Sequence, residues 1–111
     1  MTGALAAQPA AEPEGPVTAQ LVADAVTRID GVIRLHGGTF GEVATYRAGG
    51  RITGVRIGEK AGEVHLVAGL HRNVRTVGEE ARTAAEKIAG VPVTVTVADV
   101  VTDEEVAHEG T

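Results

Sequence analysis

At 111 residues the chain has room for one domain, and with Phe40 and Tyr46 as its only aromatics the core has to be built from Val, Ile, Leu and Ala. The absence of cysteine excludes a disulfide framework, a thiolate zinc site and a cysteine nucleophile. The net charge of −5 is uneven: all ten Lys and Arg lie between Val17 and Ala98 against eight acids, a body of +2 between two acidic ends. No apolar run approaches the ~20 residues that span a bilayer. The N-terminus has neither the basic start nor the apolar stretch of a signal peptide, which makes a cytosolic protein the expectation.

Residues 1–16 are rich in Ala, Pro and Glu without a period and are expected to form a disordered leader. A first helix is expected from Thr18, as its cap, to Ile29, burying Leu21, Val22, Ala25, Val26 and Ile29 and stopping at Asp30-Gly31. A short extended piece over 32–35 ends at His36-Gly37-Gly38. Strands are expected over 42–47 and 51–57 about an Ala48-Gly49-Gly50 turn, then over 63–71 after a second hairpin at 59–62. In the last of these Val64, Leu66, Ala68 and Leu70 share a face. Val74, Val77, Ala81, Ala84 or Ala85, and Ile88 mark a second helix, capped either at Asn73 or by the box Thr76-Val77-Gly78-Glu79. In the closing strand Val91, Val93, Val95 and Val97 face one way, with Thr94, Thr96 and Ala98 facing the other. Residues 102–111 read as an acidic tail around a domain over 17–101.

This order implies an α+β fold: a two-layer sandwich, with two helices on one face of a mostly antiparallel three- to four-stranded sheet. The face left open would carry Ile52, Arg56, His65, Val67, Thr94 and Thr96, a half-apolar set suited to contacts with a partner or with a second copy.

Catalytic chemistry finds no foothold. No Ser/His/Asp arrangement, phosphate-cradling helix start or pair of carboxylates in apolar surroundings is present, so no enzyme and no cofactor are expected. His65 and His71 stand six apart on one strand, roughly 20 Å at ~3.3 Å per residue, too far to share a metal. Gly38-Thr39-Phe40-Gly41 has the GxxG form of a KH nucleic-acid clamp, but it lies between extended segments and not between helices. Arg47, Arg51 and Arg56 gather about the Gly49-Gly50 hairpin. A small KH-like nucleic-acid module using these arginines is the alternative function, disfavoured by the acidic total and the lack of aromatic interleaving.

Ile29-Asp30-Gly31-Val32-Ile33-Arg34-Leu35-His36-Gly37-Gly38, following an amphipathic helix, resembles the helix-then-x-Gly-Val-x-x-Leu entry of the alkaline-shock/general-stress family of bacterial envelope stress response proteins. Gly54-Val55-Arg56-Ile57 is similar to that family's Gly-Val strand. The block from Val64 through Asn73-Val74 to Gly90, Val93–Val97 and Asp99-Val100 is similar to its strand, Asn-led helix and valine-rich strand. The resemblance spans Val17 to Val101. It departs from the family at Arg75, in a region where members commonly have Pro, and in an Ala-rich second helix where theirs is Glu-rich. It implies a non-enzymatic cytoplasmic protein, peripheral at the inner membrane surface, that binds a small membrane-anchored protein and self-associates. Neither nucleic acid nor a small-molecule substrate is expected as a partner.

Overall fold

A computed structural model describes residues 4–102, with side chains from residue 15 onwards. The elements are α1 (Ala4–Thr27), β1 (Val32–Leu35), β2 (Ala44–Arg47), β3 (Gly50–Thr53), β4 (Val55–Ile57), β5 (Gly62–Gly69), α2 (Val74–Ala89) and β6 (Val93–Val101). Two helices and a mostly antiparallel sheet make the chain α+β.

β5 organises the sheet, because every other strand of the four-stranded sheet pairs with it. On one side β6 runs parallel along its whole length, from Gly62↔Val93 to Gly69↔Val101. The other side is shared end to end. β1 takes the second half of β5 (Val32↔Ala68, Leu35↔Leu66) and β4 the first half (Val55↔Val64, Ile57↔Gly62), both antiparallel. β1 and β4 therefore act as one strand interrupted by residues 36–54. Within that excursion β2 and β3 form their own two-stranded hairpin, with Tyr46 opposite Arg51 and Arg47 opposite Gly50.

The break explains why the strand expected over 51–57 is two strands. Gly54 has φ +85°, and a Cβ there would stand 2.8 Å from the Cβ of Leu35 and 3.0 Å from both His36 N and His65 O. Only glycine fits so close to two other backbone segments. The kink it makes lets Ile52 and Val55, three residues apart, both enter the core.

The core joins Ala19, Val22, Ala23 and Val26 of α1 to Val77, Ala81 and Ala85 of α2, and both sets to Val55, Val64, Leu66 and Ala68 of the sheet. The helices touch each other, and alanines on both let their backbones approach closely. That is why the expected stripe on α1 shifts. Ala19 and Ala23 are buried, whereas Leu21 is 52% exposed. Leu70, past the end of β5, is exposed as well.

α1 begins at Ala4 and not at Thr18, so the stretch expected to be an unstructured leader is helical from that residue on. The helix runs through Pro9, Pro13 and Pro16, each of which lacks an amide donor. The rest of the expected leader, 1–3, and the acidic tail beyond Thr102 lie outside the described residues. At α2 the structure selects Asn73 as the cap, its side chain accepting from Thr76 N at 3.0 Å. Glu79, the other half of the alternative capping box, pairs with Arg82 at 2.7 Å. Gly90 closes the helix in the left-handed conformation, its N–H bonded to Glu86 O. β6 alternates as expected up to Val97. There Ala98 is an extra residue, since Leu66 pairs with Val97 and Val67 with Asp99.

Candidate functional site

Cross-strand partners point to the same side of a sheet, so the register defines the face turned away from the core. Arg56, Glu63 and Thr94 make one row across β4, β5 and β6, His65 and Thr96 the next, and Arg34, Val67 and Asp99 the third. Five of the six residues expected on this face belong to it. Ile52 does not: on β3 it is 5% exposed and part of the core. The expectation assumed one continuous strand over 51–57, and the kink at Gly54 turns Ile52 to the other side. Val67 is on the expected face but fully buried, so it offers no contact surface. Thr94 and Thr96 are exposed on β6, as is Arg56 on β4.

Above this face lies the loop that opens the 36–54 excursion. His36, Gly38, Thr39 and Glu42 from the loop, with His65, Thr96, Val97 and Ala98 from the sheet, line a cleft of about 620 Å³. Three of its polar side chains, His36, Glu42 and His65, already have partners. His36 Nδ1 accepts from Gly38 N at 2.9 Å, which leaves the ring proton on Nε2. His65 Nε2 lies 3.2 Å from Glu63 Oε1, and Glu63 lies 3.7 Å from Arg56. Arg56 also donates to the Glu42 carbonyl at 3.4 Å.

Glu42 folds back into the loop. Its Oε1 accepts the Phe40 N–H at 3.0 Å. Its carboxyl is held below the ordinary 4.5 by its own backbone N–H and that of Phe40, with His65 and Arg56 adding to the effect. The GxxG segment therefore carries a built-in anion at the place where a phosphate-clamping loop would need a free backbone.

Sequence reasoning missed the surroundings of this loop. Phe40 is 90% exposed at its tip and Tyr46 is 69% exposed on the hairpin beside it. The signal was available, since the chain's only two aromatics both fall in one glycine-rich stretch with Arg47 and Arg51. Arg51 shares a side of the hairpin with Tyr46 and reaches toward the loop, its Nη1 3.8 Å from where a Cβ on Gly41 would be. Arg47, on the side of Ile52, lies with Pro16, Val17, Gln20 and Leu21 around a groove of about 260 Å³.

A second polar cluster ties the α1–β1 corner to α2. His71 Nε2 lies 3.0 Å from Asp30 Oδ1, and Arg72 donates to Asp30 O at 2.7 Å while gripping both carboxylate oxygens of Glu80 at 3.0 and 2.8 Å. The bond from His71 lowers the Asp30 carboxyl, and Arg72 lowers that of Glu80. Both acids are exposed, and the cluster reads as a clamp between elements. His71 is thus drawn away from His65. His36 and His65 are brought to one cleft, yet among the described residues no three His, Asp or Glu side chains are placed to hold a metal ion. Among the same residues no helix is long and apolar enough to cross a membrane. The chain matches no family model, no curated protein and no solved structure.

Proposed function

We propose that this chain is a non-enzymatic structural and interaction protein of the bacterial envelope stress response, cytoplasmic and peripheral at the inner membrane surface. It associates with copies of itself and binds a small membrane-anchored protein. The family part of this reading rests on the sequence resemblance, in which Gly31, Gly54, Asn73 and Gly90 are signature positions. Three of these have clear local work, at the kink before β4 and at the two caps of α2.

The observation that carries the self-association is the outer edge of β6. Among the described residues no strand pairs with that edge. From Val93 to Ala98 it has no charge and no proline, the devices by which edge strands avoid pairing. Val-Thr-Val-Thr-Val is symmetric about Val95, so two copies can pair antiparallel there with valine and threonine rows aligned. The same reading takes the finer architecture as a two-layer sandwich: both helices share one core with the inner row Val64, Leu66 and Ala68, and Arg56, His65, Thr94 and Thr96 remain open.

Light scattering across a concentration series tests the assembly, comparing the unaltered chain with Thr94→Lys/Thr96→Lys and with Glu80→Lys on α2. Mass above that of a monomer, lost only in the threonine double variant, supports the edge and the face beside it. A monomer at every concentration refutes self-association, and loss through Glu80→Lys alone moves the interface to the helices.

A further inference from the structure

We propose that the 36–54 excursion is a docking surface for an anionic lipid surface, with Phe40 and Tyr46 entering the headgroup interface while Arg47 and Arg51 meet lipid phosphates. This goes beyond the assembly reading and is independent of it, because the chain itself would touch the lipid.

The placement of the aromatics is the first ground. In a protein with no other aromatic to spend, both stand outside the core, next to arginines. Aromatic rings and arginines are the pair that settles at a membrane–water boundary, the ring at headgroup depth and the cation on phosphate.

The loop is also prepared for such a setting. Gly38 N donates to His36 Nδ1, Phe40 N to Glu42 Oε1, Gly41 N to Gly38 O and Val43 N to Gly37 O. These four amides, Phe40's own among them, are satisfied from within, so the tip can move to a drier environment without stranding those donors. The one acid of the excursion, Glu42, is folded into the loop by these bonds.

Across the hairpin, Arg47 lies beside Val17 and Leu21, which are 59% and 52% exposed. An arginine stem over aliphatic surface with its head in water is a snorkelling arrangement. These aliphatics separate lipid from nucleic acid as the occupant. They gain nothing from a base, but they lose water at an acyl boundary. The Glu42 carboxylate, which holds the loop amide a backbone phosphate would seek, points the same way.

Tyr46 is the only tyrosine and there is no tryptophan, so intrinsic fluorescence reports on this hairpin alone. The full chain is mixed with vesicles of phosphatidylcholine, alone or with phosphatidylglycerol, and both sedimentation and acrylamide quenching of Tyr46 are measured. We expect co-sedimentation and protection of Tyr46 only with the anionic vesicles, weakened by added salt. Arg51→Gln should weaken binding about fivefold. Phe40→Ser, at a residue too exposed to affect folding, should weaken it by at least a similar factor. No binding to anionic vesicles, equal binding to neutral ones, or indifference to both substitutions would overturn the proposal. Binding of a single-stranded oligonucleotide that is lost in the same two variants, with vesicles ignored, would assign the patch to nucleic acid instead.

Discussion

The backbone N–H of His36 donates to the carbonyl oxygen of His65 at 2.8 Å, and the N–H of His65 in turn donates to the carbonyl of Gly54 at 2.9 Å. A single residue of β5 thus holds both the point where the chain leaves the sheet and the point where it returns. Two further bonds, Gly54 N to Val43 O at 2.7 Å and Val43 N to Gly37 O at 2.9 Å, continue the ladder into the root of the excursion. The loop bearing Phe40 and the hairpin bearing Tyr46 are carried on this junction.

Gly54→Ala tests how tight the junction is. The new Cβ would meet Leu35, His36 N and His65 O at 3.0 Å or less, in a left-handed conformation. A loss of at least about 2 kcal/mol is expected in urea denaturation. Gly49→Ala has the same φ of +85° but meets nothing within 4 Å, so it should cost about 1 kcal/mol, the conformational part alone. Equal losses would mean that the junction has room to yield.

The register of β6 predicts opposite outcomes for neighbouring residues. Val95 packs against the core in register with fully buried Val64, and Thr96 is exposed opposite His65. Val95→Asp should cost more than about 3 kcal/mol or prevent folding, and Thr96→Asp less than about 1 kcal/mol. Comparable damage from both, by thermal or chemical unfolding, would place the strand out of register.

Acid should weaken the fold in a defined window. Asp30, Glu42 and Glu80 all titrate below their ordinary values of 3.8, 4.5 and 4.5 when folded. The unfolded chain therefore takes up protons first. The stability these groups contribute is present above the ordinary values and is lost as pH falls through the lowered ones. All three are exposed, so the effect is modest. Thermal midpoints followed from neutral pH through the carboxylate range should fall, less steeply in Glu80→Gln. A midpoint that rises on acidification would contradict the assigned partners.

Removing residues 1–14 should leave the domain standing. Among the residues whose side chains are described, Ala19 is the first of α1 found in the core. The thermal midpoint should move by less than about 4 °C, corresponding to roughly 1 kcal/mol for a domain of this size. A larger drop would show that the early turns of α1 contribute packing.

The stretch from β5 to β6 was legible because its signals are local and agree with one another. Alternating Val and Thr and a strand-length apolar row leave one reading of the elements, while the cap of α2 stayed open between Asn73 and Thr76. What failed involved contacts between distant parts of the chain. Arg51 to Ile57 has the length and composition of one strand, but its apolar phase slips between Ile52 and Val55 across Gly54, and the neighbouring backbones of His36 and His65 show why the chain bends there. That bend misplaced Ile52. Leu21 outranks Ala19 and Ala23 in hydrophobicity, but the close approach of two helices favours the smaller side chains. Thr76 with Glu79 made a good capping box on paper, and Asn73 took the cap because the helix begins one turn earlier. On the candidate face, the alternation placed Arg56, His65, Thr94 and Thr96 correctly. Neither the covering of Val67 nor the exposure of both aromatics could be read from spacing.

Because β1 and β4 lie end to end on β5, residues 36 and 54 are both held by one residue of that strand, His65. Beyond the buried residues at its root, Ile52 among them, the excursion owes the helices and the three-strand-wide sheet only that its two ends come back together. Loop closure grows only logarithmically with length, about 0.6 kcal/mol for each doubling. The tips of the loop and hairpin can thus lengthen, shorten or change, provided Val43, Ala44 and Ile52, which are buried at the root of the excursion, are kept. The tips of the loop and hairpin are free to change at a pace of their own, and a transplanted segment could be displayed there by design.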